Sequence, residues 1–177
     1  MQMNLRNVIL KEHSKKQALK VADYVGESKT RFFELMNLFL GKEYRVTQRA
    51  AWAVSICVER HPDLLEPWLR KMILNLSKKG LPDAVKRNTV RILQSVSIPK
   101  QFQGITAQSC FKLLLSPDEP VAVKVFSMSV LCNLCKEEPA LRHELKLIIE
   151  AQLPYGSAGY KSRAGKILKT LSVLKDE

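Results

Sequence analysis

Apolar and small residues recur along this chain at helical spacing, and the recurrence is itself repeated five times. Counting from Ser14, Val46, Val85, Val121 and Tyr160, offset 4 holds Ala18, Ala50, Thr89, Val125 and Ala164. Offset 7 holds Val21, Ala53, Ile92, Met128 and Ile167, and offset 11 holds Val25, Cys57, Val96, Cys132 and Leu171. Offset 8 is likewise small or apolar, with Ala22, Val54, Leu93, Ser129 and Leu168. At 100° per residue these offsets share one side of an α-helix, so each copy predicts a helix with one buried stripe. A second apolar stripe precedes each copy: Phe32, Leu35, Met36, Phe39 and Leu40, then Leu65, Trp68, Leu69, Met72 and Leu76. Phe102, Ile105, Cys110, Leu113 and Leu114 form the next, and Leu141, Leu145, Ile148 and Ile149 the last. Ser28 is the expected N-cap of the first of these helices, and Gly41 and Gly80 the expected stops of the first two. Leu5 to Leu10 reads as an abbreviated first helix.

Prolines mark the same period independently. Pro62, Pro99 and Pro139 follow the second helices, and Pro82, Pro120 and Pro154 stand in the turns between paired helices. Proline lacks an amide donor and clashes inside a helix, so both series belong at boundaries. The starts lie 32, 39, 36 and 39 residues apart. Two helices per unit at that period predict an all-α fold, an α-α superhelix of about five helix pairs. The expected repeats are 1–27, 28–62, 63–99, 100–139 and 140–177, in one domain over 1–177.

The segments "VTQRAAWAV", "VKRNTVRIL", "VAVKVFSMS" and "YKSRAGKIL", with proline at the turn and a basic residue early in the second helix, resemble HEAT or armadillo-type repeats. The resemblance covers essentially the whole chain. It implies a binding scaffold without an active site, because such repeats are mostly used to hold partners; fold alone does not assign the partner.

Charge narrows the partner. With 29 Lys and Arg against 17 Asp and Glu, the net charge is +12, which favours acidic partners. Offsets 2, 3 and 6 face away from or flank the buried stripe. Of those fifteen positions eight are basic and none acidic: Lys16, Lys20, Arg49, Arg87, Arg91, Lys124, Arg163 and Lys166. Random placement at this composition gives about two or three basic residues. Stacked repeats are expected to align them, with Trp52, into a ridge for an acidic protein or, as the alternative, a nucleic acid. A basic residue at offset 3 has a structural reading too, as a bridge between neighbouring repeats.

Other chemistry is thinly represented. Cys132 and Cys135 have CxxC spacing, but no second ligand pair accompanies them, and Cys57 and Cys132 fall on the buried stripe. Reduced core thiols in a cytoplasmic protein are the expectation. No membrane span, nucleotide fingerprint, catalytic carboxylate pair or metal site is expected, and no cofactor. HEAT-like alkylpurine DNA glycosylases use an aspartate flanked by tryptophans in a basic cleft. The ridge and Trp52 are similar to that pattern, but no acidic residue occupies the ridge positions. Leu171, Val173 and Leu174 leave the last helix apolar enough to suggest weak self-association.

Overall fold

A computed structural model describes residues 3–174, and all regular structure among them is helical. The α-helices are α1 (Leu5–Lys11), α2 (Lys15–Val25), α3 (Lys29–Phe39), α4 (Tyr44–Arg60), α5 (Leu69–Asn75), α6 (Asp83–Leu93), α7 (Lys100–Leu115), α8 (Val121–Leu134), α9 (Leu141–Gln152) and α10 (Ala158–Val173). In chain order they make the five expected helix pairs. Local chemistry sets the ends. Asn4, Ser14, Ser28 and Ser157 cap α1, α2, α3 and α10 by accepting an amide hydrogen bond three residues on. Pro99 and Pro120 occupy the N-cap positions of α7 and α8.

The helices cluster into two compact units, one through Ile92 and the other from Leu93, dividing at the end of α6. In the first unit α4 is the hub, packing against α1, α2 and α3. Val46, Ala50, Ala51, Ala53, Val54 and Cys57 line its buried faces. Small side chains there let three neighbours approach one helix. In the second unit α8 has the same role, packing against α7, α9 and α10.

The repeat period reappears as bonds. Arg6 pairs with Glu43, Arg49 donates to the Leu10 carbonyl, and Arg60 pairs with Asp23. Lys100 pairs with Glu138, Asn133 donates to the Gln94 carbonyl, and Gln152 donates to the Leu114 carbonyl. Every one of these links joins residues 37 to 39 positions apart, one repeat on, and each stays within its own unit.

Several sequence expectations shift. The third repeat's first helix is not continuous: two 3₁₀ turns, Pro62–Leu64 and Glu66–Trp68, precede a seven-residue α5. Pro62 and Pro67 each sit at the start of a turn and supply no amide to continue a helix. α5 ends at Asn75, and Gly80 lies in the following turn at φ 72°. In α7 the buried face carries Gln103, Thr106, Ala107, Cys110 and Leu114, while Phe102 and Ile105 are half-exposed.

The fourth second helix is out of register by two residues. Val121 is 44% exposed whereas Val123 is fully buried, as are Ser127, Val130, Leu131 and Leu134. The buried stripe of α8 therefore starts at Val123, three residues after Pro120, just as Val85 stands three after Pro82. With that start the five copies are spaced 32, 39, 38 and 37 residues.

Candidate binding surface on the second helices

The eight cations expected on the ridge separate by what surrounds them. Lys16 and Lys20 on α2, Arg87 on α6 and Lys166 on α10 are exposed, and none has an ion pair among the described residues. Arg49 and Arg163 are different. Arg49 is half-buried and donates to the Leu10 carbonyl at 2.8 Å, and Arg163 donates to Ser129 Oγ at 2.9 Å. Gln17 occupies the same offset and donates to the Val8 carbonyl, while Asn88 turns back to the Ala84 carbonyl of its own helix at 2.8 Å. Offset 3 therefore serves hydrogen bonding within the fold: a flank position reaches the neighbouring helix, and a donor there satisfies a carbonyl or hydroxyl it finds.

Arg91 is half-exposed and lies 3.6 Å from Glu59. Lys124 stands one residue after the true start of α8, on the flank, and is half-buried. Offsets 2, 3 and 6 from that start hold Val125, Phe126 and Ser129, so α8 adds no cation to the expected positions. Its burial follows from its place as hub of the second unit.

Two carboxylates also occupy the outward faces, at offsets that the fifteen positions skip. Asp23, nine residues after Ser14, pairs with Arg60 at 2.7 Å, and Glu59 sits thirteen after Val46. Both are near the carboxy-terminal ends of α2 and α4. Exposed cations also stand at amino-terminal ends: Lys15 and Lys16 lie in the first turn of α2, Arg45 in that of α4 and Lys161 in that of α10, none with an acidic neighbour in the turn. A lysine there opposes the helix dipole by roughly 0.3–1 kcal/mol. Lys161 and Lys169 extend the exposed set on α10, which carries no carboxylate. Lys169 lies nine residues after Tyr160, directly opposite the stripe, so the full helical wheel would have found it.

Trp52 is half-buried where α4 meets the α1–α2 corner, among Ile9, His13, Gln17, Arg49 and Ala53, and the space left beside it is about 10 Å³. It packs there. Trp68 lies on the first-helix side of the third repeat against Phe33, so the two tryptophans do not flank one site. Burial pushes the Cys57 and Cys110 thiols up to about 12 and the Cys135 thiol to about 11; Cys132 is raised by the same cause. All four are free and buried, so the CxxC pair packs in the core of α8. Among the described residues no group of three or more His, Cys, Asp or Glu converges to hold a metal ion, and no helix is long and apolar enough to cross a membrane.

A HEAT repeat domain model matches residues 5–171 of the chain. The protein belongs to the HEAT repeat family. No curated protein and no solved structure is detectably similar to it. HEAT repeats commonly mediate protein interaction and scaffolding, and the family is generally without enzymatic activity. Leu171 is buried inside the second unit, and Val173 is the exposed apolar residue at the end of α10.

Proposed function

We propose that this HEAT repeat protein is a non-enzymatic scaffold whose second helices, in each unit by itself, hold an acidic segment of a partner protein. The carrying observation is that Lys16, Lys20, Arg87 and Lys166 are exposed and have no ion pair among the described residues, although the molecule forms ion pairs elsewhere. Lys16 also stands where its own helix dipole disfavours it. Such cations contribute little to folding and raise the local potential for an anion, speeding and orienting encounter.

A nucleic-acid reading draws on α10, where Lys161, Arg163, Lys166 and Lys169 have no acidic partner among the described residues. Salt dependence separates the two. Four lysine or arginine contacts to duplex phosphates give a slope of log K against log salt of about −3.6. The test measures affinity for poly-L-glutamate and for a duplex of about 20 base pairs across a salt series. Binding to the polypeptide, with weak duplex binding at low salt, supports the scaffold reading. Duplex binding that is the tighter of the two, at that slope, replaces it with the nucleic-acid reading; binding to neither rejects both.

A further inference from the structure

The broken first helix of the third repeat leaves a groove on the first-helix side of the first unit. Where other repeats place a continuous first helix, the turns Pro62–Leu64 and Glu66–Trp68 run beside α3 instead. A cavity of about 310 Å³ lies between them, with Phe32, Phe33, Leu64, Pro67 and Trp68 as its apolar lining and Lys29 and Asp63 at its edge. That volume is at the lower end of the range for ligand pockets, about 300–1,000 Å³.

The aromatic pair in this groove is unequally used. Phe32 is 1% exposed and belongs to the core, but its neighbour Phe33 is 55% exposed. Phe33 packs against the Trp68 ring at 5.3 Å between centroids with a 57° tilt. The Lys71 ammonium sits over the other part of the same assembly, 5.2 Å from the Trp68 centroid. Phe33 thus forms a wall, open on one side, of a slot that an incoming apolar side chain would complete. Exposed aromatics around a cavity are where anchor residues of partners insert.

Charge says what accompanies the anchor. Lys29 and Asp63 line the edge of the groove and Lys71 lies over Trp68 beside it, and neither lysine has a carboxylate partner among the described residues. We propose that the groove between α3 and the two 3₁₀ turns is a docking site for a short linear segment of a partner protein. The segment has a bulky apolar anchor, which seats in the cavity against the exposed Phe33 ring, and flanking Asp or Glu residues, which meet Lys29 and Lys71. This site is independent of the second-helix surface and stands or falls without it. A scaffold with both would hold two segments at separate places.

The two tryptophans make the test direct, because Trp52 and Trp68 lie in different places and each gives one indole N–H resonance. Synthetic Asp-Glu-Phe-Asp-Glu, with capped ends, is titrated into the isotopically labelled full chain, with the indole signals assigned by Trp52→Phe. The Trp68 signal should move and the Trp52 signal should not. Replacing the peptide's Phe by Ala should weaken binding about tenfold or more, as loss of an anchor does. Phe33→Ala should do the same. Because Phe33 is mostly exposed, its loss should leave the unfolding transition close to that of the unchanged chain. A charge swap gives a second handle: Lys29→Glu/Lys71→Glu should reverse the preference toward Lys-Lys-Phe-Lys-Lys. Binding that ignores the anchor, or ignores the swap, overturns the proposal, as does a silent Trp68 signal at every peptide concentration. A concentration-dependent dimer that Phe33→Ala abolishes also overturns it, since the groove would then hold a second copy of the chain.

Discussion

At the residue scale, identical side chains on neighbouring offsets have different jobs, and burial decides which. Arg163 reaches the Ser129 hydroxyl and Arg49 the Leu10 carbonyl, whereas Lys166, three positions beyond Arg163, points to solvent. Arg163→Ala and Arg49→Ala should each lower unfolding stability by about 1–2 kcal/mol, since each strands an acceptor and removes a packed stem. Lys166→Ala should change it by less than about 0.5 kcal/mol. Urea denaturation of the three variants checks this, and equal losses would show that Lys166 is as embedded as the arginines. The thiols make a second residue-level prediction. Burial raises the Cys57 and Cys110 thiols from 9.0 to about 12, so the unfolded chain releases those protons first. Stability from keeping them neutral is complete below the unfolded value of 9.0 and is lost as pH climbs toward about 12. The urea midpoint under reducing conditions should fall between about pH 8 and pH 10.5, and fall less in Cys110→Ala. Prompt labelling of all four thiols by a disulfide reagent near pH 8 without denaturant would contradict their burial.

At the scale of the element, helix content and pairing were legible because two signals agreed, apolar spacing and proline placement. Where they disagreed, the prolines were right. Apolar residues surround α8, so Val121, Val123 and Val125 offer equivalent starting points to a search for a stripe. Only the distance from Pro120 selects Val123. Burial of Gln103 and Thr106 in α7 was invisible for a related reason: a pattern search discards polar residues, although Thr106 returns its hydroxyl hydrogen to the Phe102 carbonyl and Gln103 donates to the Ile98 carbonyl. The split start of the third first helix was hidden as well, since Leu65, Trp68, Leu69 and Met72 keep helical spacing through the 3₁₀ turns. Glycine supplies the prediction at this scale. A Cβ on Gly165 in α10 meets nothing within 4 Å, while one on Gly156 would lie 2.6 Å from the Tyr160 ring. Gly165→Ala should therefore stabilise the protein by about 0.5–1 kcal/mol through helix propensity. Gly156→Ala should destabilise it, because Tyr160 is buried and cannot simply swing away. Thermal unfolding of the two variants should show shifts of opposite sign; two shifts of the same sign would mean that the Tyr160 ring yields.

At the scale of the whole molecule, each unit is organised around one hub helix, α4 with small buried side chains and α8 with mostly apolar ones. The proposed binding surface was only partly legible. A net charge of +12 and a fixed-offset count pointed to the second helices, but the count could not tell Arg49 and Arg163, which tie neighbouring elements together, from Lys16 and Lys20, whose side chains pair with none of the described residues. It also skipped Asp23 and Glu59 on the same outward faces. The distinction needs positions of neighbouring atoms one repeat away, which spacing within a helix does not contain. What remains is a smaller set of free cations, and the claim that they, rather than the overall charge, bind the partner. The most direct measurement compares two triple variants with the same change in net charge for affinity to poly-L-glutamate at low salt. Lys16→Glu/Lys20→Glu/Lys166→Glu reverses free cations on second helices, and Arg70→Glu/Lys79→Glu/Lys112→Glu reverses exposed cations elsewhere. The first should weaken binding about tenfold or more and the second about threefold or less. Equal losses in the two would show that bulk charge alone attracts the polyanion, and would contradict a binding surface on the second helices.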